Sequence, residues 1–432
     1  MMRRDVSANG DTDVAVVGGG LAGLAAALYL ARAGLRVAVH EKSRHLGGRS
    51  RSRTIDGFCF NLGPHALYCA GRGAAVLQEL GVRVDGNRPG GGAYAVRSGQ
   101  FHTLPIGFVS LASTGLLRPL EKLETARRLN ALRSIDTSVL QNVPLSAWLR
   151  QTVVNDVVRE LLEAIVRLTT YTDAPETISA GAALEQAKRA FQGVLYVDGG
   201  WQTIVDQLRA SAERSGVEIL VGCEAVSVIA DRRVEGIQMA DGRIRRAPIV
   251  VLACSPREAQ TLAGAAGQRG VLAAAAGAAP VQISSLDVAL DMLPRPDALI
   301  ALGIDRPLYA SVHSAIARLA PGGGALIHVT RYGVIDADNP VKEELEDLLD
   351  GLQPGWRRRV VYERFLPNMT VSHAVVTAAQ GGVRGRPDPE VPDIGGLYVV
   401  GDWVGPEGML ADAALSSARQ AAAAILSSRG TP

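Results

Sequence analysis

The stretch that decides the fold is Asp13-Val14-Ala15-Val16-Val17-Gly18-Gly19-Gly20-Leu21-Ala22-Gly23, together with the run that leads on to Glu41. Residues 13–17, Asp-Val-Ala-Val-Val, form a short, mostly β-branched run of the kind that makes a parallel strand buried on both faces. Leu21 to Ala33 is rich in Ala and Leu and reads as a helix, with Gly34 placed to end it. Arg36 to His40 reads as a second strand, and Glu41 sits at its end. Strand, turn, helix and strand within about thirty residues make a βαβ unit. In Gly18-x-Gly20-x-x-Gly23, Gly18 permits the tight turn, Gly20 lets a pyrophosphate approach the main chain, and Gly23 lets the helix lie close to the sheet. The pyrophosphate then rests on the positive helix N-terminus, where Leu21 and Ala22 stand. Glu41, eighteen residues beyond Gly23, is placed to accept hydrogen bonds from ribose hydroxyls, which disfavours a 2′-phosphate. A dinucleotide is expected, although this unit alone does not separate a nicotinamide from a flavin.

Working outward, Leu46-Gly47-Gly48-Arg49 follows almost at once. Two glycines allow a close main-chain approach, and Arg49 offers a charged fork near phosphates. The whole string from Glu41-Lys42 to Gly48-Arg49 resembles the second signature of the flavin-containing amine oxidase superfamily. That group includes monoamine and polyamine oxidases, protoporphyrinogen oxidases and phytoene-type carotenoid desaturases. Further segments carry the same resemblance. Gly199-Gly200-Trp201 leads into a helix over Thr203–Ala212, Glu218 to Ile229 is similar to the strand whose main chain clamps an adenine at Val226, and Val250 to Pro256 is similar to the return strand. Val399-Val400-Gly401-Asp402-Trp403 resembles the last flavin motif, in which the Asp binds the ribityl–phosphate region. Met409, Leu410 and Ala411 then open a helix that the resemblance aims at the flavin pyrimidine. A positive helix end there stabilises charge on the reduced ring.

Phe60-Asn61-Leu62-Gly63-Pro64-His65-Ala66-Leu67-Tyr68 resembles a segment of the protoporphyrinogen-oxidase-like and desaturase-like members that runs past the isoalloxazine ring. The resemblance makes Gly63, Pro64 and His65 cofactor neighbours and His65 and Tyr68 candidate catalytic residues. His65 reads equally well as a loop histidine bonded to main chain, since most histidines are not catalytic. Two departures move the chain away from amine oxidation. The aromatic expected near Met409 is absent, and no cysteine follows Cys254, so a covalent flavin linkage there is not available. The segment from Pro354 to Thr370 is closer to the desaturase type. Non-covalent FAD and hydride transfer from an apolar or conjugated substrate, isoprenoid, porphyrinogen or specialised metabolite, are what the resemblance implies. An amine oxidase, a redox-neutral isomerase and a non-catalytic flavin-binding redox sensor are the rivals.

The chain has 432 residues, enough for two domains or one with a large insertion. The expected class is α/β: a Rossmann-type FAD-binding domain from 10–95, 195–275 and 385–432, and a substrate domain of mixed antiparallel sheet from 96–194 and 276–384. A mostly helical insertion is expected over 104–190, with amphipathic segments at 119–134 and 145–169. Aromatics are only 4%, which weighs against a site built from stacked rings. A net charge of +2 with scattered Arg argues against nucleic acid. The four cysteines form no CxxC pair, and no metal site is expected. Met1 to Asp13 is polar and lacks the apolar core of a signal peptide, so a cytoplasmic protein is expected. Leu104 to Leu111 is apolar. It suits a pocket wall, with peripheral membrane contact as the alternative. The expected partner is a lipophilic small molecule, and nothing in the sequence sets an oligomeric state.

Overall fold

Val14–Val17 is buried at all four positions, and its side chains divide by the period of a strand. Val14 and Val16 enter one hydrophobic cluster with the helices Leu21–Arg32, Gln202–Arg214 and Leu410–Arg429. Ala15 and Val17 enter another, with Val250, Leu252, Leu397, Val399 and the small sheet above them. Covering on both faces is what a parallel sheet requires. In this computed structural model, which describes residues 12–334 and 341–429, the sheet has five strands in the order 218–221, 37–41, 14–17, 249–252, 397–399. All four pairings are parallel. The outer face carries a three-stranded antiparallel sheet of Ala225–Ala230, Val234–Met239 and Ile244–Arg246.

A second sheet has seven strands in the order 360–372, 281–290, 325–332, 308–312, 300–303, 93–97, 100–103. It is antiparallel except where Ile300–Gly303 runs parallel to Ala93–Arg97. One face packs under the helices Leu145–Thr152, Asp156–Thr170 and Ala180–Phe191. In Asp156–Thr170 the buried residues Val158, Leu161, Leu162, Ile165, Val166 and Thr169 recur at helical spacing on one side. The other face packs on Val341–Leu352 through Leu345, Leu348 and Leu349.

Several expectations shift. The stretch read as one strand from Glu218 to Ile229 is two, Glu218–Val221 and Ala225–Ala230, in different sheets. Gly222, with φ +67°, makes the break. The amphipathic segment 145–169 is two helices parted at Val153-Val154-Asn155, two β-branched residues before an Asn. The boundary drawn at residue 95 cuts through the strand Ala93–Arg97, which belongs to the second sheet. Gly86–Asn87, in a stretch rich in glycine, pairs with Val194–Val197. The readings made on Met1–Asp11, and the outermost ends of the 10–95 and 385–432 segments, lie outside the described residues.

Candidate active site

A single cavity of about 1020 Å³ runs from the glycine-rich loop to the second sheet. At one end, Gly18 has φ +110°, and a Cβ there would lie 2.6 Å from the Ala253 carbonyl oxygen. A Cβ on Gly23 would lie 1.9 Å from Gly18 O, so helix and turn touch at that point. Gly20 differs: a Cβ there would meet nothing within 4 Å, because it faces the open cavity. Leu21–Arg32 begins at Gly20 with no side-chain cap. Its first N–H groups therefore remain available to an anion. Glu41 Oε2 accepts from Gly19 N at 2.8 Å and Oε1 from Ser43 N at 2.7 Å, so the carboxylate is locked at the rim of the loop. Lys42 is paired with Glu258 across the rim. Val226 lines the cavity where the register of its strand slips, and no residue stands opposite it in the ladder. Its main chain is thus left out of the sheet pairing. These features fit a dinucleotide: an uncapped helix end, an empty glycine face, an anchored acid and an unpaired main-chain segment.

The middle of the cavity is held by charge. Arg49 donates to Asp402 Oδ2 at 2.7 Å and Oδ1 at 3.1 Å, and to Val371 O at 2.7 Å. His373 N donates to the same carboxylate at 3.1 Å. Burial alone would raise the Asp402 carboxyl, but the Arg49 guanidinium and the bonds from His373 and Arg49 hold it well below the usual range. Arg49 was expected near phosphates and Asp402 near the ribityl chain. Both line the cavity, yet their charges are spent mainly on one another. Arg386, with its pKa pushed down to about 10 by burial, donates to the main-chain oxygens of Asp402 and Gly408 and fixes the loop before the last helix.

That helix starts at Leu410, in the left-handed region at φ +54°, and Leu410 and Ala411 line the cavity. Met409 does not; it packs with Ala182 and Val376. The positive helix end carries an acid in its first turn, Asp412, whose Oδ1 accepts from Gly73 N at 2.9 Å. Burial raises that carboxyl, while Gly73 and Arg189 lower it. Gly63 also stays off the cavity wall, with Met369 against it.

The far end is apolar, lined by Leu104, Ile165, Leu168, Ile283, Leu302 and Met369. Four of the chain's nine tyrosines, Tyr68, Tyr171, Tyr196 and Tyr309, reach it. These four rings stand at this end although aromatics are few in the chain as a whole. Tyr68 OH donates to Thr169 O at 2.7 Å and Tyr171 OH to Pro64 O at 2.9 Å, and burial raises the pKa of both phenols. His65 holds Nδ1 at 3.1 Å from Gly63 O and Nε2 at 3.1 Å from Arg49 O. Burial pushes its pKa down to about 4, so the ring is neutral at pH 7 and its one N–H reaches one of those carbonyls. Sequence reasoning missed Tyr171, Tyr196, Tyr309, His313 and His373. Apart from Tyr309 and His313, which are four residues apart, they come from different segments, and no motif marks any of them.

Comparison with known proteins agrees with this geometry. The family described as flavin containing amine oxidoreductase matches residues 21–282. The chain belongs to that family. A carotenoid 3,4-desaturase of Haloarcula japonica is 56% identical over 52 residues, which is 12% of this chain and 10% of that protein. A 4,4'-diaponeurosporene oxygenase of Staphylococcus aureus is 24% identical over 282 residues, 55% of this chain and 54% of that protein. The chain thus spans about half the length, or less, of the curated relatives it matches. An oxidoreductase from Methanosarcina mazei has the same fold, with a TM-score of 0.76 and 21% identity over 96% of this chain and 99% of that one. The family implies a flavin cofactor. Among the described residues no group of three or more His, Cys, Asp or Glu is placed to hold a metal.

Proposed function

We propose that this chain binds FAD without a covalent bond and dehydrogenates an apolar or conjugated small molecule, of the isoprenoid or porphyrinogen class. The observation that carries the reading is the continuity of the cavity, which joins a dinucleotide-type glycine loop to an apolar floor. When bound, the flavin supplies a hydride acceptor. The chain's own groups do the rest. Gly18, Gly20, Leu21, Ala22 and Gly23 seat the pyrophosphate, Glu41 the ribose and Val226 the adenine. Gly48, Arg49, Pro64, Gly401, Asp402, Leu410 and Ala411 line the ring and its side chain, and Lys42 screens the rim. Gly63 and Met409 support this wall from behind. His65 and Tyr68 shape the wall and move no proton, since their polar atoms are engaged with main chain. The apolar lining replaces water around the substrate and favours a hydrocarbon skeleton. Cys254 is the one cysteine at the cavity, and burial raises its thiol, which argues against thiolate attachment. The segments 10–95, 195–275 and 385–432 serve as the FAD-binding part and 96–194 and 276–384 as the substrate part, with the boundary moved ahead of Ala93.

The visible spectrum of the purified protein tests the first half. A flavin band released by acid or heat is expected, and a colourless protein that takes up only NAD overturns it. Anaerobic bleaching by a C40 polyene or a porphyrinogen tests the second half. Peroxide release with amines would replace it with amine oxidation, turnover without net oxidant with isomerisation, and a band no small molecule bleaches with redox sensing.

One further observation supports contact with a lipid surface. Phe108 is 89% exposed and Val109 78%, on the short helix Phe108–Ser113, and Leu120 on the next helix is 77% exposed. Ile106 beside them is both exposed and part of the cavity lining, so the apolar tip adjoins the cavity. Arg118 and Lys122 flank it, and Lys122 Nζ donates to Ala112 O at 2.7 Å. Among the described residues no helix is long and apolar enough to cross a membrane. An interfacial mode, with apolar side chains dipped below the headgroups, is the one this surface suits. Phe108→Asp with Val109→Asp is expected to abolish co-sedimentation with anionic vesicles and to leave flavin content unchanged.

A further inference from the structure

Behind the apolar end of the cavity lies a chain of buried ionisable groups that no part of the flavin reading uses. Asp287, fully buried in the centre of the second sheet, receives His328 Nδ1–H at 2.7 Å and Ser285 Oγ–H at 2.7 Å on Oδ1. On Oδ2 it receives Arg364 Nε–H at 2.9 Å and Nη2–H at 2.7 Å. His328 in turn meets His313 edge to face, with ring centroids 4.7 Å apart. His313 lies stacked on Tyr196 at 4.0 Å and 15°, and both line the cavity. The outward atoms of the two histidines are unsatisfied: His328 Nε2 and His313 Nδ1 are buried and have no hydrogen-bond partner. Other buried side-chain atoms among the described residues also lack a partner, but these two stand together on touching rings beside a cavity, and that juxtaposition calls for a reason. A scaffold role does not supply one, because an apolar pair of the same shape would pack there at no desolvation cost.

We propose that His313, backed by the buried His328–Asp287 pair, accepts the proton that the substrate releases in the cavity. This rests on the dehydrogenase reading above. A bound oxidised flavin would supply the acceptor for the hydride, which takes with it the electron pair of one substrate C–H bond. The neighbouring C–H bond breaks with its proton going to a His313 ring nitrogen, and its electron pair stays behind as the new C=C bond. The Asp287 carboxylate orients the His328 ring and offsets the positive charge that arrives on its neighbour, the division of labour found wherever a carboxylate backs a histidine base. Burial raises the Asp287 carboxyl, while His328 first, then Arg364 and Ser285, bring it below the ordinary value. Facing His313 are Tyr196 from Val194–Val197, His328 from Ala325–Tyr332 and His65 from the loop before Leu67–Tyr68. Burial first, then the neighbouring rings His328 and His65, hold His313 neutral and weaken it as a base, so its protonation depends on the negative charge that Asp287 holds behind His328.

The test uses the flavin-loaded protein, ¹⁵N-labelled on histidine, with His313→Phe, His313→Gln and Asp287→Asn. Phe keeps the stack on Tyr196 and removes the base. Ring nitrogen shifts followed from pH 4 to 9 should lose one low-pH titration in both His313 variants, and Asp287→Asn should move that titration to lower pH. A His313 titration unmoved by Asp287→Asn overturns the coupling. In parallel, anaerobic bleaching by a C40 polyene is timed across pH. Wild-type bleaching that fails with that polyene and with porphyrinogens counts against the dehydrogenase reading itself. Given wild-type bleaching, both His313 variants should slow it by about 10²–10⁴-fold with the flavin band intact, and the acid limb of the profile should vanish. Bleaching within about threefold of wild type, an acid limb that persists, or loss of flavin from both His313 variants overturns the proposal.

Discussion

The two ends of the cavity are built on opposite principles. The dinucleotide end uses main chain: glycine faces, an uncapped helix, and a carboxylate anchored on two backbone N–H groups. The substrate end uses side chains, with rings and aliphatic groups drawn from 65 to 371. The first depends on the absence of Cβ atoms and tolerates almost no substitution. The second depends on volume and burial, and its parts can be exchanged singly at graded cost. Under the proposed function, recognition of a constant cofactor and of a particular substrate would thereby be separated within one cavity.

The strongest way to break this comparison is to place a side chain at the main-chain end. Gly18→Val meets both a left-handed φ and the Ala253 carbonyl. It is expected to cost ~3 kcal/mol or more and to yield protein without a flavin band. Retention of full flavin content would show that the loop has slack the geometry does not display.

The next effect concerns His65, which stands between the two ends. Its folded pKa is about 4 against an ordinary 6.5. Below 6.5 the unfolded chain takes up a proton that the folded chain refuses. The stability it contributes is therefore complete above pH 6.5 and is lost as pH falls towards 4, by roughly 3 kcal/mol. His65→Gln should flatten that part of the stability curve, read from denaturant midpoints at pH 7, 6, 5 and 4.

A smaller loss is expected for Asp402→Ala. It removes the partner of Arg49, whose side chain is 36% exposed and so retains some water. About 2 kcal/mol of stability at pH 7 is expected to go, with weaker flavin retention on dilution. Because the Asp402 carboxyl is held below its ordinary 3.8, the wild-type advantage over this variant should be complete above pH 4 and shrink below it. The smallest effect belongs to the substrate end. Leu168→Trp fills part of the apolar floor and should slow polyene bleaching ~10-fold at unchanged flavin content.

The same contrast explains what could be read from the sequence. The βαβ unit was legible to within a residue or two because its signals are local: β-branched run, glycines, Ala/Leu helix, acid. The strand Leu308–Val312 was not, although all five residues are buried, because an Arg-Pro pair before it and a His after it mask the run. The strand Val360–Ser372 is only partly buried along its length and contains a proline, which hid its period. Arg49 was found by its motif, but its partner His373 and the convergence of Tyr171, Tyr196 and Tyr309 are products of tertiary folding. No spacing along the chain encodes them.

The Arg49–Asp402 bond has a consequence for synthesis. Its partners lie 353 residues apart, and the fifth strand and last helix of the parallel sheet come from residues 397–429. At about 5–20 residues per second, a growing chain carries its finished glycine loop for tens of seconds before the opposite wall exists. The early βαβ unit must wait with one edge of its sheet unpaired and one flank uncovered. The pocket closes only once residues 397–429 have been made, so chains stalled before residue 402 are expected to emerge unable to hold the cofactor.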